Sequence, residues 1–218
     1  VPYFDIPIQH ISVSVLKRMN RKTCRKDILN VIQNIREKIP NAILRTSLIV
    51  GFPGETKEDF LELCEFVKSA KFDKLGVFQY SKEDGTPAAK LKEQIHWKTK
   101  QARWNEIMQI QQEVSKNKLQ EKIGNTYEAL IEQITQDKQY AIARTYMDVP
   151  DMDGVLWLQN DNNLQEGQFV DAMITDVTEY DLKGNVVWCK KCYQIFISYK
   201  RNPEDRNKKI SKIGCISP

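Results

Sequence analysis

The stretch Arg45-Thr-Ser-Leu-Ile-Val-Gly-Phe-Pro-Gly-Glu-Thr-Lys-Glu-Asp-Phe60 decides the fold, because it joins a buried strand to a glycine loop and the start of a helix. Ser47-Leu48-Ile49-Val50 is a nearly continuous apolar run, the pattern of a parallel strand covered on both faces. Gly51 and Gly54 allow a sharp turn and a close approach of backbone to a ligand, and Pro53 fixes one φ angle between them. Thr56 then reads as an N-cap, with Asp59 completing a capping box. Phe60, Leu63, Cys64 and Val67 follow at helical spacing, so one helix face packs back onto the sheet. Strand-to-helix junctions of this kind carry the ligand sites of α/β proteins, although a tight turn alone would use the same glycines. No Gly-Lys-Ser/Thr follows, which excludes a Walker A loop.

Working outward, strands near Tyr3 to Ile8 and Leu75 to Tyr80 flank this one, and each is followed by a helical pattern. Ile28, Val31, Ile32, Ile35 and Ile39 define one helix, with Thr23 as its predicted cap; another runs from about Trp97 to Gly124, the predicted C-cap. Beyond Gly124 the pattern becomes short strands near Tyr127 to Ile134, Ala141 to Tyr146, Gly154 to Leu158 and Phe169 to Thr178, separated by turns such as Asp161-Asn162-Asn163. The expectation is an α/β unit over 1–124, a small antiparallel barrel of OB-like size over 125–188, and a poorly ordered basic tail over 189–218.

At 218 residues and 41% hydrophobic content the chain can bury a core, and no apolar run approaches the ~20 residues of a membrane-spanning helix. It has no signal-peptide pattern and starts at Val1 in mid-strand, so it reads as a fragment of a longer protein. Five irregularly spaced cysteines make no disulfide framework and favour a reducing, cytoplasmic compartment. The net charge of +4 divides into +7 over residues 1–124, −9 over 125–188 and +6 over 189–218. The acidic block repels a phosphate backbone and suits a basic protein partner.

In a β/α barrel the carboxyl ends of the strands face one mouth, which would gather Gln9-His10, Gly51 to Glu55, and Tyr80 to Glu83. His10 reads first as a structural hydrogen-bonder and second as a catalytic base. Arg45 lies at the far end of its strand, either pointing into the lumen toward an anionic ligand or forming a surface salt bridge. Lys17, Arg18, Arg21, Lys22, Arg25 and Lys26 read as a solvated basic face unless a phosphate or carboxylate is met there. Cys189-Lys-Lys-Cys192 has metal-ligand spacing, but only Cys215 lies downstream, so no zinc site is complete.

Four segments in order carry a family likeness: Asp5-Ile-Pro-Ile-Gln-His-Ile-Ser12, Leu16-Lys-Arg-Met-Asn-Arg21, Ile49-Val-Gly-Phe-Pro-Gly-Glu-Thr-Lys-Glu-Asp-Phe60 and Tyr80-Ser-Lys-Glu-Asp-Gly-Thr-Pro-Ala-Ala89. They resemble radical S-adenosylmethionine (SAM) methylthiotransferases, with a following barrel similar to a TRAM domain. Ile6 to Ser12, Asp148 to Gly154 and Thr178 to Gly184 resemble the RimO branch, which methylthiolates an aspartate of a small-subunit ribosomal protein. The transfer-RNA branch, MiaB-like, has Gln-Ser-Gly-Ser where this chain has Gln9-His10-Ile11-Ser12 and is the alternative; a non-catalytic ribosome- or RNA-binding module is the second.

The resemblance implies the carboxyl-terminal half of a radical SAM β/α barrel plus TRAM, with S-adenosylmethionine and two 4Fe-4S clusters in the complete protein. The Cys-x-x-x-Cys-x-x-Cys triad such a cluster needs does not occur in the chain, so activity of the chain alone is not expected. Gln9, Arg45, Gly51, Gly54, Glu55 and Tyr80 would line the S-adenosylmethionine and substrate cavity. A ribosomal protein, a reductant and a sulfur donor are the implied partners.

Overall fold

A computed structural model describes residues 1–160 and 164–187, in two compact units that divide between Lys118 and Leu119. The Asp161-Asn162-Asn163 turn, Cys189, Cys192, Cys215 and the basic tail lie outside the described residues. Among the described residues no helix is long and apolar enough to cross a membrane.

The first unit is a parallel sheet of β1 (Tyr3–Gln9), β2 (Ile43–Val50) and β3 (Lys74–Gln79), in that order. Its helices are α1 (Val13–Arg18), α2 (Arg25–Lys38), α3 (Lys57–Ala70) and α4 (Trp97–Gln120). Leu44, Leu48 and Val50 of β2 alternate with less buried residues and meet Ile28 and Ile32 of α2, Leu63 and Val67 of α3, and Ile107 of α4 in one core. Polar contacts fix α4: Trp104 Nε1 donates to the Val77 carbonyl at 2.8 Å and Gln111 Nε2 to the Phe72 carbonyl at 3.0 Å. Arg45, Ser47 and Ile49 alternate onto the opposite face of β2, where Ile49 is the register partner of the exposed Phe78.

The β1–β2 ladder is irregular between Ile6 and Gln9. Pro7 has no N–H to give, and the buried Thr46 hydroxyl repairs the gap by donating to the Ile6 carbonyl at 2.7 Å and accepting from Ile8 N–H at 3.4 Å.

Two helix ends differ from the sequence expectation. The N-cap of α2 is Cys24, one residue after Thr23, because Asp27 reaches back to accept from Cys24 N–H at 2.9 Å and so fixes the start. Gly124 lies beyond the end of α4, and its N–H donates to the Ile174 carbonyl at 2.8 Å, making it part of the barrel's first strand connection.

The second unit is a closed barrel of β4 (Thr126–Ile134), β5 (Tyr140–Thr145), β6 (Leu156–Gln159), β7 (Phe169–Val177) and β8 (Leu182–Val186), ordered β4-β5-β6-β8-β7 with β7 returning to β4. Its pairs are antiparallel except β6 with β8, which run parallel, and the topology is the Greek-key type of OB-like barrels. Ala129, Ile131, Ala141, Ala143, Leu156, Leu158, Ala172, Ile174 and Leu182 are buried. Strand β8 escapes the sequence pattern because it is short and has a glycine at its centre.

Candidate functional site

The carboxyl end of β2 supplies the best-built candidate. Gly51 and Gly54 adopt φ of +73° and +80°, a conformation glycine takes without strain. A Cβ on Gly51 would strike the Lys100 side chain, and one on Gly54 would strike Arg18 and Glu93. The loop is closed from beneath by Glu55, whose Oε2 accepts from the N–H groups of Gly51 and Phe52, the latter at 3.1 Å. Arg103 of α4 stands 2.9 Å from Glu55 Oε1, with the two side chains 12% and 0% exposed. That guanidinium also donates to the carbonyls of Glu55 at 3.1 Å and Thr56 at 3.3 Å. Burial pushes the Glu55 carboxyl above its ordinary pKa, while Arg103 and the two N–H groups pull it back. Glu55 therefore shapes the loop from inside.

The end of β3 joins this loop. Tyr80 N–H donates to the Val50 carbonyl at 2.9 Å, and the Phe52 and Tyr80 rings meet edge-on at 5.1 Å. Lys100 Nζ lies 5.0 Å from the Tyr80 ring centroid and donates to the Tyr80 carbonyl at 2.7 Å; burial lowers its pKa. The Tyr80 hydroxyl is buried without a hydrogen-bond partner among the described residues. A buried, unused hydroxyl beside a positive-φ glycine loop is the arrangement a polar ligand group would complete.

The end of β1 is unusual in another way. Gln9 has φ +71°, rare for a residue with a Cβ, and His10 behind it is fully buried. His10 Nδ1 accepts from Ser12 N–H at 3.0 Å, which leaves the proton of the neutral ring on Nε2. Nδ1 thus has a structural role, whereas Nε2 is buried without a hydrogen-bond partner among the described residues. Below it, Asp59 accepts from Ser12 Oγ at 2.5 Å and Ser14 Oγ at 2.6 Å, tying the first turn of α3 to the start of α1. Burial alone would raise the Asp59 pKa, but these hydroxyls and Thr56 outweigh it and hold it at about 2.

The structure therefore gathers Gly51, Gly54, Glu55 and Tyr80, and places Gln9 at the same end of the sheet. Arg45 lies six residues before Gly51, about 20 Å along the strand, paired with Asp5 at 2.5 Å. Sequence reading missed Arg103 and Lys100, which reach the loop from α4 and whose spacing gives no local signal. The cysteines described are Cys64, buried with its thiol pushed up to about 11 by burial and nearby Glu106, and exposed Cys24. Among the described residues no cluster of His, Cys, Asp or Glu is arranged to hold a metal.

His10 should make the unit acid-sensitive. Burial chiefly lowers its pKa to about 4, against opposition from Asp59 and with help from Arg103. Between that value and the ordinary ~6.5 the unfolded chain binds the extra proton, so stability is whole above the window and falls as pH drops through it. The expected loss is on the order of 3 kcal/mol by pH 4. Urea midpoints from pH 7 to 4 check it: His10→Gln should flatten the decline.

Family models match at two places: the radical SAM superfamily over residues 1–67 and the TRAM domain over 123–187. Ribosomal protein uS12 methylthiotransferase RimO from Alkaliphilus oremlandii is 59% identical over 186 residues, 84% of this chain and 42% of that protein. The RimO of Clostridioides difficile is 49% identical over 85% of this chain and 42% of its own length. Among solved structures, coproporphyrinogen III oxidase (HemN) from Escherichia coli, a radical SAM enzyme, is 18% identical with a TM-score of 0.46 over 66% of this chain and 39% of that one, too distant to inform the site. The chain spans about two fifths of the length of the curated relatives it matches. A parallel β/α unit with a glycine loop, followed by a TRAM barrel, defines the class of radical SAM proteins that carry a TRAM domain. Within that class the chain is similar over 84–85% of its length to RimO-type methylthiotransferases.

Proposed function

We propose that this chain is part of a radical SAM enzyme that methylthiolates the β-carbon of an aspartate in ribosomal protein uS12. The observation that carries the reading is the convergence of the Gly51–Glu55 loop and Tyr80 at the carboxyl ends of parallel strands. In a chain 59% identical to a named uS12 methylthiotransferase, that is where a cofactor site is expected. Residues 1–124 would form the carboxyl-terminal half of the barrel, and 125–188 the TRAM domain.

Gln9, Gly51, Gly54 and Tyr80 would border S-adenosylmethionine, with the Tyr80 hydroxyl free to bind it, Glu55 holding the loop's shape and Arg45 lining the strand beyond. S-adenosylmethionine with a reduced 4Fe-4S cluster would supply the radical chemistry for the aspartate hydrogen, and a second cluster would supply the sulfur. Among the described residues Cys24 and Cys64 do not make a cluster site and the sequence has no Cys-x-x-x-Cys-x-x-Cys triad, so the ligands would lie in the portion of the relatives that this chain does not span. A reductant and a sulfur donor complete the partners. The −9 charge of residues 125–188 favours a basic protein over a nucleic acid at the barrel, and a ribosomal protein substrate places the work in the cytoplasm.

The test is the complete enzyme with reconstituted clusters, offered a uS12 peptide and transfer RNA separately. Methylthiolated aspartate in the peptide is expected. Modified transfer RNA beside unmodified peptide overturns the reading and favours the MiaB-like branch.

A further inference from the structure

The strongest unassigned feature is the connection from α1 to α2. From Asp5 to Asp27 the chain has no intervening acid, and Lys17, Arg18, Arg21, Lys22, Arg25 and Lys26 lie exposed within ten positions. Two of the six are occupied: Arg18 pairs with Glu93 at 2.6 Å and Arg25 with Glu62. Lys17, Arg21 and Lys22 have no side-chain hydrogen bond or ion pair among the described residues. Lys26 has only the field of Asp27, whose carboxylate is engaged at Cys24 N–H.

The connection is held in shape. Asn20 takes the left-handed conformation, φ +58°, directly after the helix end, and Arg21 N–H reaches back to the Leu16 carbonyl at 2.9 Å. That is the geometry of a Schellman-type stop, which here presents Arg21 and Lys22 on a fixed turn. Preorganised cations lose less entropy on meeting a partner. Arg25 and Lys26 also open α2 at its positive end, where cations are disfavoured and only Asp27 answers them in the first turn. Glu62 answers Arg25, but Lys26 gains no ion pair there, and a negatively charged partner would relieve it.

We infer that the α1–α2 connection is a phosphate-contacting surface for RNA, with Lys17, Arg21 and Lys22 as its free contacts. The occupant is a polyanion because the cations are strung along a turn, with no single buried pocket to select a small anion. Rested on the ribosomal reading above, the RNA is that which surrounds the substrate protein in the small subunit. The two units then meet opposite partners: the acidic barrel a basic protein, the basic connection the RNA beside it.

Binding of the complete enzyme to a fluorescently labelled RNA duplex of about 20 base pairs, across a salt series, tests it. Lys17→Gln, Arg21→Gln and Lys22→Gln combined should weaken binding about tenfold or more at low salt and reduce the log–log salt slope by about 2–3, near 0.7–0.9 per lost phosphate contact. Each single variant should reduce it by about 1, with a circular-dichroism melt matching wild type. Lys190→Gln with Lys191→Gln should leave the slope unchanged. An unchanged slope in the triple variant, or loss of binding caused wholly by the Lys190 and Lys191 changes, overturns the inference. Duplex binding requires no catalysis, so its outcome separates from the peptide assay: an enzyme that binds RNA through this surface yet leaves the uS12 peptide unmodified refutes the earlier reading alone.

Discussion

Glu55→Ala should destabilise the amino-terminal unit by about 3–5 kcal/mol, the range for breaking a buried ion pair from one side. Two losses add here. Gly51 and Phe52 lose the carboxylate that accepts their N–H groups, and Arg103, only 12% exposed, keeps its charge without the counter-ion 2.9 Å away. Arg103 retains the carbonyls of residues 55 and 56 and its place 5.2 Å from the Phe60 ring centroid, so the helix stays docked while the loop loosens. Glu55→Gln should cost about half as much, since one amide oxygen still meets both N–H groups. Adding Arg103→Met to Glu55→Ala should recover part of the loss, because removing both charges is less costly than stranding one. Urea denaturation of wild type, Glu55→Ala, Arg103→Met and the double variant closes this cycle, with Glu55→Gln measured beside them. A Glu55→Ala loss below about 1 kcal/mol would mean that water reaches the pair and that the loop does not depend on it.

This pair marks the boundary of what the sequence discloses. Thr56 and Asp59 cap α3 as their spacing of three predicts, and Phe60, Leu63, Cys64 and Val67 are buried as their period predicts, because both are local rules. The strand carrying Leu48 and Val50 and the glycine turn are legible for the same reason. Arg103 is not: it lies 48 residues from Glu55, and only the packing of α4 brings them together. Arg45 pairs with Asp5, its neighbour across the ladder, on the face of β2 opposite the helix-packed core, a placement visible only once β1 and β2 are in register. The exposed Val31 shows the limit of periodicity, since Ile28 and Ile32 already fill the contact between α2 and the sheet. Thr46 reads as an ordinary strand residue, yet its hydroxyl mends the ladder beside Pro7, a role visible only once β1 and β2 are in register.

Gly184→Ala should cost the barrel about 3 kcal/mol or more, because the obstacle is backbone. A Cβ there would stand 2.5 Å from the Met173 carbonyl oxygen and 3.2 Å from its carbon. Gly184 is paired on both sides, to Leu158 across the parallel ladder and to Ile174 across the antiparallel one, so β8 cannot step away from β7 without opening the ladder to β6. The register irregularity between Ile174 and Asp176 lies beside this close approach, as expected where a bulge tightens the twist and admits only glycine opposite. Gly167→Ala is the contrast: its φ of +82° makes alanine strained, but nothing lies within 4 Å, so the cost should be about 1 kcal/mol. Amide exchange should show protection lost along β6, β7 and β8 in Gly184→Ala and retained there in Gly167→Ala. Equal losses from the two variants would show that backbone conformation, and not the contact between β7 and β8, sets the requirement for glycine. The fifth strand would then be held by its flanking residues: Leu182 N–H donates to the Val155 carbonyl at 2.9 Å and Val187 N–H to the Asp171 carbonyl at 2.7 Å, and neither bond passes through Gly184.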